Sequence, residues 1–290
     1  MPNTIALAKG YVSALDEVYR RESVTADLIS DASLMRAGAN VNEIVYPQIS
    51  VSGLGDYDRN SGYTNGSVNV EWKTTKFNYD RGTKISVDTM DDQETFNIAF
   101  GMAGATLQRD KVAPEADAFT FATLAGISGI SKAAPATYAG AEQFLAALLE
   151  AKNKMDEDEV PEEGRFLYAT PTLLNSVMAL DTTKSREILN AYTIKKPVPQ
   201  SRFYTVIDLQ DGKSSGEELG HYKKASTGKD INFMIIHKPA VIKFDKHVVG
   251  DVIDPAINPN ADAYIVKYRK YGIVDAYKNK VAGIYLSHKA

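Results

Sequence analysis

Residues 91–125 read DDQETFNIAFGMAGATLQRDKVAPEADAFTFATLA, and the rest of the chain is best arranged around them. Asp91 and Asp92 are short acceptors suited to the free NH groups and positive end of a helix, and Glu94 falls in the same first turn. Phe96, Ala99, Phe100, Ala103 and Leu107 then recur at three- and four-residue steps, while Asn97, Gln108 and Arg109 fall largely off that stripe. The spacing predicts a long amphipathic helix, spanning roughly 30 Å even without its last turns. Pro114 predicts a kink or a break into a second helix carrying Ala118, Phe119, Ala122 and Leu124.

Upstream of this stretch the chain is built of strands. Val68, Val70, Trp72 and Thr74 alternate with Asn69, Glu71, Lys73 and Thr75, which puts the single Trp on one face of a strand. Lys84, Ser86 and Asp88 alternate with Ile85 and Val87 after a turn expected at Arg81-Gly82. Before them, GLGDYDRNSGYTNG (53–66) is a hairpin tip or extended loop, with Asn65-Gly66 suited to a turn needing positive φ. ANVNEIVYP (39–47) is a strand closed by its proline, and residues 5–21 form an amphipathic arm through Leu7, Tyr11, Leu15 and Val18. Whether that arm docks on its own subunit or on a neighbour stays open at this point.

Downstream, 126–136 is a small-residue linker, and Thr137 is the expected cap of a helix with Phe144, Leu145, Leu148 and Leu149 on its stripe. Phe166–Ala169 reads as a buried strand, Thr170-Pro171 as a helix start, Phe203–Leu209 as a strand, and 211–220 as a loop. INFMIIH and AVIKF suit a covered sheet, and Tyr264, Val266, Tyr268 and Lys270 alternate along a strand that must pair with something earlier.

Composition narrows the function classes. With 290 residues, 44% hydrophobic and 24% charged, the chain suits a globular protein with one large or two modest cores. A net charge of -4 leaves no uniform basic footprint for nucleic acid, and zero cysteines exclude disulfides and thiol nucleophiles. No apolar run reaches the length of about 18 residues that crosses a bilayer, and no signal-peptide pattern opens the chain, so with no cysteine a cytosolic compartment is expected. His221, His237, His247 and His288 lack the spacing of a metal site, and the carboxylates of MDEDEVPEEG (155–164) lack that of an EF-hand. Nucleophile-elbow, P-loop and dinucleotide motifs are missing, and the adjacent pairs Asp91/Asp92 and Glu162/Glu163 read as caps and solvated charge. No catalytic, cofactor or metal residue is assigned, and the chain is expected not to be an enzyme. What the sequence offers is surface for association, with Tyr57, Asp58, Arg59 and Tyr63 at the hairpin tip.

The succession GLGDYDRNSGY, VEWKTTKFNYDRGTKISVDTMDDQET, LQRDKVAPEADAF, then DEDEVPEEGRFLYATP and DAYIVKYRKYGIVDAYKNKVAGIYLSHK, resembles the major capsid proteins of tailed bacteriophages, which share the Hong Kong 97 type fold. The resemblance implies an α+β chain with an N-terminal arm (1–40), an E-loop hairpin (41–90), a P domain with a long spine helix (91–135 and 236–290) and an α/β A domain (136–235). It implies self-assembly through hexamers and pentamers into an icosahedral head around double-stranded DNA, in the virion. A separate scaffolding protein, a portal and decoration proteins are possible partners. Candidate assembly residues are Leu54, Asp56, Tyr57, Arg59, Tyr63, Trp72, Arg81, Arg109, Asp110, Glu115 and Asp117, with Arg59 expected to meet Asp110, Glu115 or Asp117 of an adjacent spine. An encapsulin-type compartment and an enzyme with its α/β lobe on an oligomerisation frame are the alternatives.

Overall fold

Three short segments, 166–169, 231–237 and 284–288, are apolar on both strand faces for most of their length, so each must be covered on both sides. The computed structural model, which describes residues 23–30, 36–37, 43–60, 62–94, 104–180, 182–218 and 220–290, places all three at the centre of one sheet. The chain order begins with β1 (Arg36–Ala37), β2 (Glu43–Val51), β3 (Val68–Lys76), β4 (Tyr79–Asp88), α1 (Thr89–Glu94) and α2 over residues 104–126. β5 (Ser131–Lys132), α3 (Ala141–Glu157), β6 (Arg165–Ala169), α4 (Pro171–Leu180), α5 (Thr183–Asn190) and β7 (Ile194–Pro197) follow. The remainder is β8 (Ile207–Gln210), β9 (His221–Lys224), β10 (Ile231–His237), β11 (Val241–Ile253), β12 (Ala263–Ala276) and β13 (Ile284–His288).

The central sheet runs β5-β13-β10-β6-β7, with Ile235 opposite both Leu167 and Tyr285. Alternation divides its side chains between two cores. Phe166, Tyr168, Met234, Ile236, Ile284 and Leu286 face Phe121, Leu124 and Ala125 of α2. Leu167, Ala169, Phe233, Ile235 and Tyr285 face Phe144, Leu148 and Met155 of α3, with Leu174, Val177 and Leu189 from α4 and α5. A second, longer sheet runs β11-β12-β4, from Ala263 opposite Asp88 to Gly272 opposite Tyr79.

Strand pairing revises several local readings. Gly82 is not in a turn: it lies inside β4 opposite Arg269, where a Cβ would come within 2.9 Å of the Tyr268 carbonyl oxygen. β4 therefore belongs with β12, and the projecting hairpin is β2 with β3 alone. β2 runs through Pro47 rather than ending there, with Pro47 opposite Trp72 of β3. α3 starts at Ala141, with Gly140 rather than Thr137 at its cap, and Leu149 lies on its exposed side. Of 203–209 only the end is strand, because Phe203 turns inward from a short 3-10 turn into the core.

Helix α2 also departs from a regular stripe. It is continuous through Pro114, and Gln108–Val112 form a π-type turn just before the α-helical segment Ala113–Gly126. The wider turn gives the proline ring room and places its missing NH in the first turn of the segment that follows. An inserted residue shifts the helical phase, and Gln108, placed off the apolar stripe by a 3.6-residue period, is buried. Beyond the turn Glu115, Asp117 and Thr120 are buried as well as Ala113, Ala116, Ala118 and Phe121, so this half is enclosed on nearly every side instead of amphipathic. The stripe residues Phe96, Ala99, Phe100 and Ala103, and the arm helix of 5–21, lie outside the described residues. Among the described residues no helix is long and apolar enough to cross a membrane.

Phe121 is fully buried and meets Tyr168 and Phe203 edge-on at ring-centroid distances of 5.3 and 4.8 Å. We expect Phe121→Ala to cost about 3–5 kcal/mol in urea unfolding of dissociated subunits; a loss under about 1 kcal/mol would show that α2 does not anchor the central sheet.

Candidate assembly interface

β2 and β3 pair from Glu43–Lys76 to Val51–Val68, and Pro47, Ile49 and Val51 stand opposite Trp72, Val70 and Val68. Residues two apart share a face, so these six form one apolar face of a two-stranded ribbon. That face is half to two-thirds exposed: exposure of Ile49, Val51, Val68, Val70 and Trp72 runs from 49% at Val70 to 69% at Val51. The base of the ribbon is secured instead. Ile44 and Tyr46 pack with Ile242 and Ile273, the Tyr46 and Tyr277 rings meet edge-on at 5.0 Å, and Thr75 Oγ1 donates to Asp275 at 2.7 Å.

At the tip, Tyr57 and Tyr63 pack edge-on at 4.8 Å across a turn closed by reciprocal backbone hydrogen bonds between Asp58 and Gly62. Gly62, at φ 80°, supplies the left-handed residue that the sequence suggested for Asn65-Gly66. Leu54 is fully exposed at 106%, Asp56 and Arg59 are exposed, and Arg59 makes no ion pair among the described residues. Leu54, Asp56, Tyr57, Arg59, Tyr63 and Trp72 thus share one projecting element.

The candidates on and beside α2 divide differently. Arg109 and Asp110 are exposed and pair with each other at 3.0 Å. Glu115 and Asp117 are buried and engaged within their own subunit. Glu115 accepts from Arg81 Nε at 2.8 Å, from Arg81 Nη2 at 3.1 Å and from the Tyr79 hydroxyl at 3.0 Å, while Arg81 also donates to the Gln210 carbonyl at 2.6 Å. Asp117 accepts from Ser23 Oγ at 2.7 Å, Thr25 Oγ1 at 2.6 Å, the backbone NH groups of Val24 and Thr25 at 2.9 and 3.1 Å, and Arg202 at 3.2 Å. Of the carboxylates considered for Arg59, only Asp110 is exposed to a second subunit.

Lys243 carried no signal in the sequence and is completely buried, donating to Thr25 Oγ1 and, at 3.1 Å, to the Thr25 carbonyl. Burial, reinforced by the nearby charge of Lys270, pulls its ammonium down to about 8, against the opposing pull of Asp117, Asp245 and Asp27. This lysine and Asp117 hold residues 23–25 from two sides.

No protein-family model and no curated protein matches the sequence. Solved structures do. The capsid structure of the cyanophage P-SCSP1u is similar over 92% of this chain and 88% of that one, with a TM-score of 0.60 at 13% identity. The mature capsid of bacteriophage PhiM1 gives 0.52 over 86% and 82% at 11% identity. The virus-like particle from Pyrococcus furiosus gives 0.58 over 97% and 99% at 9% identity. The chain has the α+β fold of the tailed-phage capsid proteins over nearly its whole length, with a long helix of 23 residues.

Two outcomes follow for dissociated subunits. Asp117→Ala leaves buried donors unmet and should cost about 3–5 kcal/mol, whereas Asp110→Ala should stay within about 0.5 kcal/mol of the parent; equal effects would contradict the division between interior and surface carboxylates. Between pH about 8 and 10 the unfolded chain binds a proton at Lys243 that the folded chain does not, so stability should rise with pH across that window, by about 2–3 kcal/mol. Lys243→Met should remove the rise, and an unchanged pH slope in that variant would refute the assignment.

Proposed function

We propose that this chain is the major shell subunit of a tailed-phage head, assembling through hexamers and pentamers into an icosahedral container for double-stranded DNA. The observation that carries the reading is a projecting ribbon with an exposed apolar face, on a fold shared with phage capsid subunits over most of the chain. An isolated two-stranded ribbon is marginal in water, and an apolar face of this kind marks a contact surface. In a closed shell every copy supplies a ribbon and receives one, through head-to-tail contacts.

In the terms of that fold, residues 1–40 are the N-terminal arm, 41–90 the E-loop region, 91–135 with 236–290 the P domain, and 136–235 the A domain. Strand pairing crosses these divisions, since β4 joins β12 and β13 joins β10, which in turn joins β6. The role assigned is structural, in the virion, with scaffolding, portal and decoration proteins as further partners. The modest net charge of -4 suits a wall that does not grip every phosphate of a packaged genome. An encapsulin-type compartment is the second reading, favoured by the similarity to the Pyrococcus furiosus particle.

The deciding experiment is size-exclusion chromatography with negative-stain electron microscopy, on the protein alone and with a cognate scaffold. Closed shells or hexamer and pentamer rings support the reading, nucleic acid within them favours a head over an enzyme compartment, and a species that stays small under both conditions rejects it. Arg59→Glu should block or slow assembly while subunits unfold as the parent does, and adding Asp110→Arg should restore it. Normal shells from Arg59→Glu alone would remove the Arg59–Asp110 contact.

A further inference from the structure

The pair Asn65-Gly66 is a turn motif that the fold does not use as a turn. Gly66 is not among the glycines with positive φ, and residues 64–67 lie outside any turn or strand. It is also the single Asn-Gly pair in the chain. An asparagine followed by glycine carries a second chemistry. The next backbone nitrogen can attack the side-chain amide carbon, and glycine puts no Cβ in the way.

The setting of the pair favours that attack. Both residues are exposed, so water and hydroxide reach them. Neither the Asn65 amide nor the Gly66 NH makes a hydrogen bond among the described residues, so neither reacting group is tied. The β2–β3 ladder ends at Val68 and the Asp58–Gly62 bridge lies beyond, so no strand pairing holds the backbone between them. Other asparagines are restrained. Asn232 is buried and its amide donates to the Ala136 carbonyl at 2.8 Å. Asn78 donates to the Val274 carbonyl at 2.8 Å and accepts from the Val274 NH at 3.0 Å. Asn153 and Asn175 lie within α3 and α4, and the residue after Asn258 is a proline, with no NH to react.

We propose that Asn65 is a site of spontaneous deamidation in the free subunit, asparagine being among the thermolabile side chains. The Gly66 nitrogen loses its proton to hydroxide and bonds to Asn65 Cγ. The Cγ–Nδ2 bond breaks, and ammonia leaves with a proton from water, giving a five-membered succinimide. Water then opens the ring at either carbonyl, to aspartate or isoaspartate, so that one water is consumed and one ammonia released. Both products add a carboxylate to the ribbon, and isoaspartate also lengthens the main chain by one carbon. That extra carbon falls beside the closure of the loop, where Ser52 NH donates to the Ser67 carbonyl at 2.9 Å and Ser67 NH to Ser52 Oγ at 2.8 Å. Hairpin register depends on the length of the connection, so isoaspartate disturbs the ribbon. On the shell reading, on which this consequence rests, subunits carrying isoaspartate are excluded from shells.

Dissociated full-length subunits are aged at neutral and at mildly alkaline pH. Their peptides are followed by mass spectrometry for conversion of amide to acid, and isoaspartate is counted with an isoaspartate-specific methyltransferase. We expect Asn65 to convert at least about tenfold faster than Asn78 or Asn232, equivalent to about 1.4 kcal/mol of barrier, and faster at the higher pH. Asn65→Gln should abolish the isoaspartate signal of that peptide. Conversion at Asn65 no faster than at Asn78 and Asn232 would overturn the site. Aged subunits are then returned to assembly conditions and separated into shells and free protein. Depletion of isoaspartate at position 65 from the shells supports the consequence, and equal amounts in both pools overturn it. Failure of unaged parent protein to assemble, with or without scaffold, would overturn the shell reading, while conversion in free subunits still decides the site.

Discussion

Two carboxylates buried on one helix set the terms for the rest of the subunit. Glu115 and Asp117 lie two residues apart in α2, and a desolvated carboxylate is tolerated only where donors surround it. Their partners come from distant parts of the chain: Tyr79 and Arg81 on β4 for one, residues 23–25 and Arg202 for the other. Arg81 extends the first set to β8 through the Gln210 carbonyl. The helix therefore joins the central sheet through its apolar side and joins β4, β8 and residues 23–25 through its charges. Such networks fix arrangement more than they add net stability, because removing the charges and their partners together would cost far less than removing one partner.

A body fixed in this way can carry an element that is not. Among the described residues the ribbon of β2 and β3 is tied down at its base, and beyond Pro47 its apolar residues are half to two-thirds exposed. Among the described residues the body covers both faces of its central sheet. The uncovered surface is concentrated where a neighbour can reach it, and the separation of a sealed interior from an open projection is what distinguishes an assembling subunit from a self-sufficient domain.

Much of this architecture was legible because it follows from periodicity. The strand alternation at Val68–Trp72, the both-sided apolar runs of β6 and β10, and the turn-rich segment before β3 all appear in the structure where the pattern put them. The failures share one physical origin, since local pattern does not report what a distant segment supplies. Glu115 and Asp117 looked like surface acids on an amphipathic helix, and it is donors from distant segments, Tyr79, Arg81, Arg202 and residues 23–25, that make their burial possible. Gly82 looked like a turn, and only the approach of Tyr268 shows why a side chain is excluded there. Of the candidate interface, the exposure of the ribbon residues could be read from composition and alternation. The cross-strand partnership of Ile49 and Val51 with Val70 and Val68 required the register.

The strap formed by residues 23–30 has a temporal meaning as well as a spatial one. Thr25 is held by Lys243, a partner 218 residues later, and the sheet that α2 covers is incomplete until Ile284–His288 exist. A ribosome adding roughly 5–20 residues per second would expose the finished ribbon for some tens of seconds before the strands that complete its subunit emerge. Folding dominated by such long-range pairings is slow, and its early products present an apolar face with no body to present it correctly. For this topology, the interval between synthesis of the projection and closure of the body is when aggregation competes with assembly.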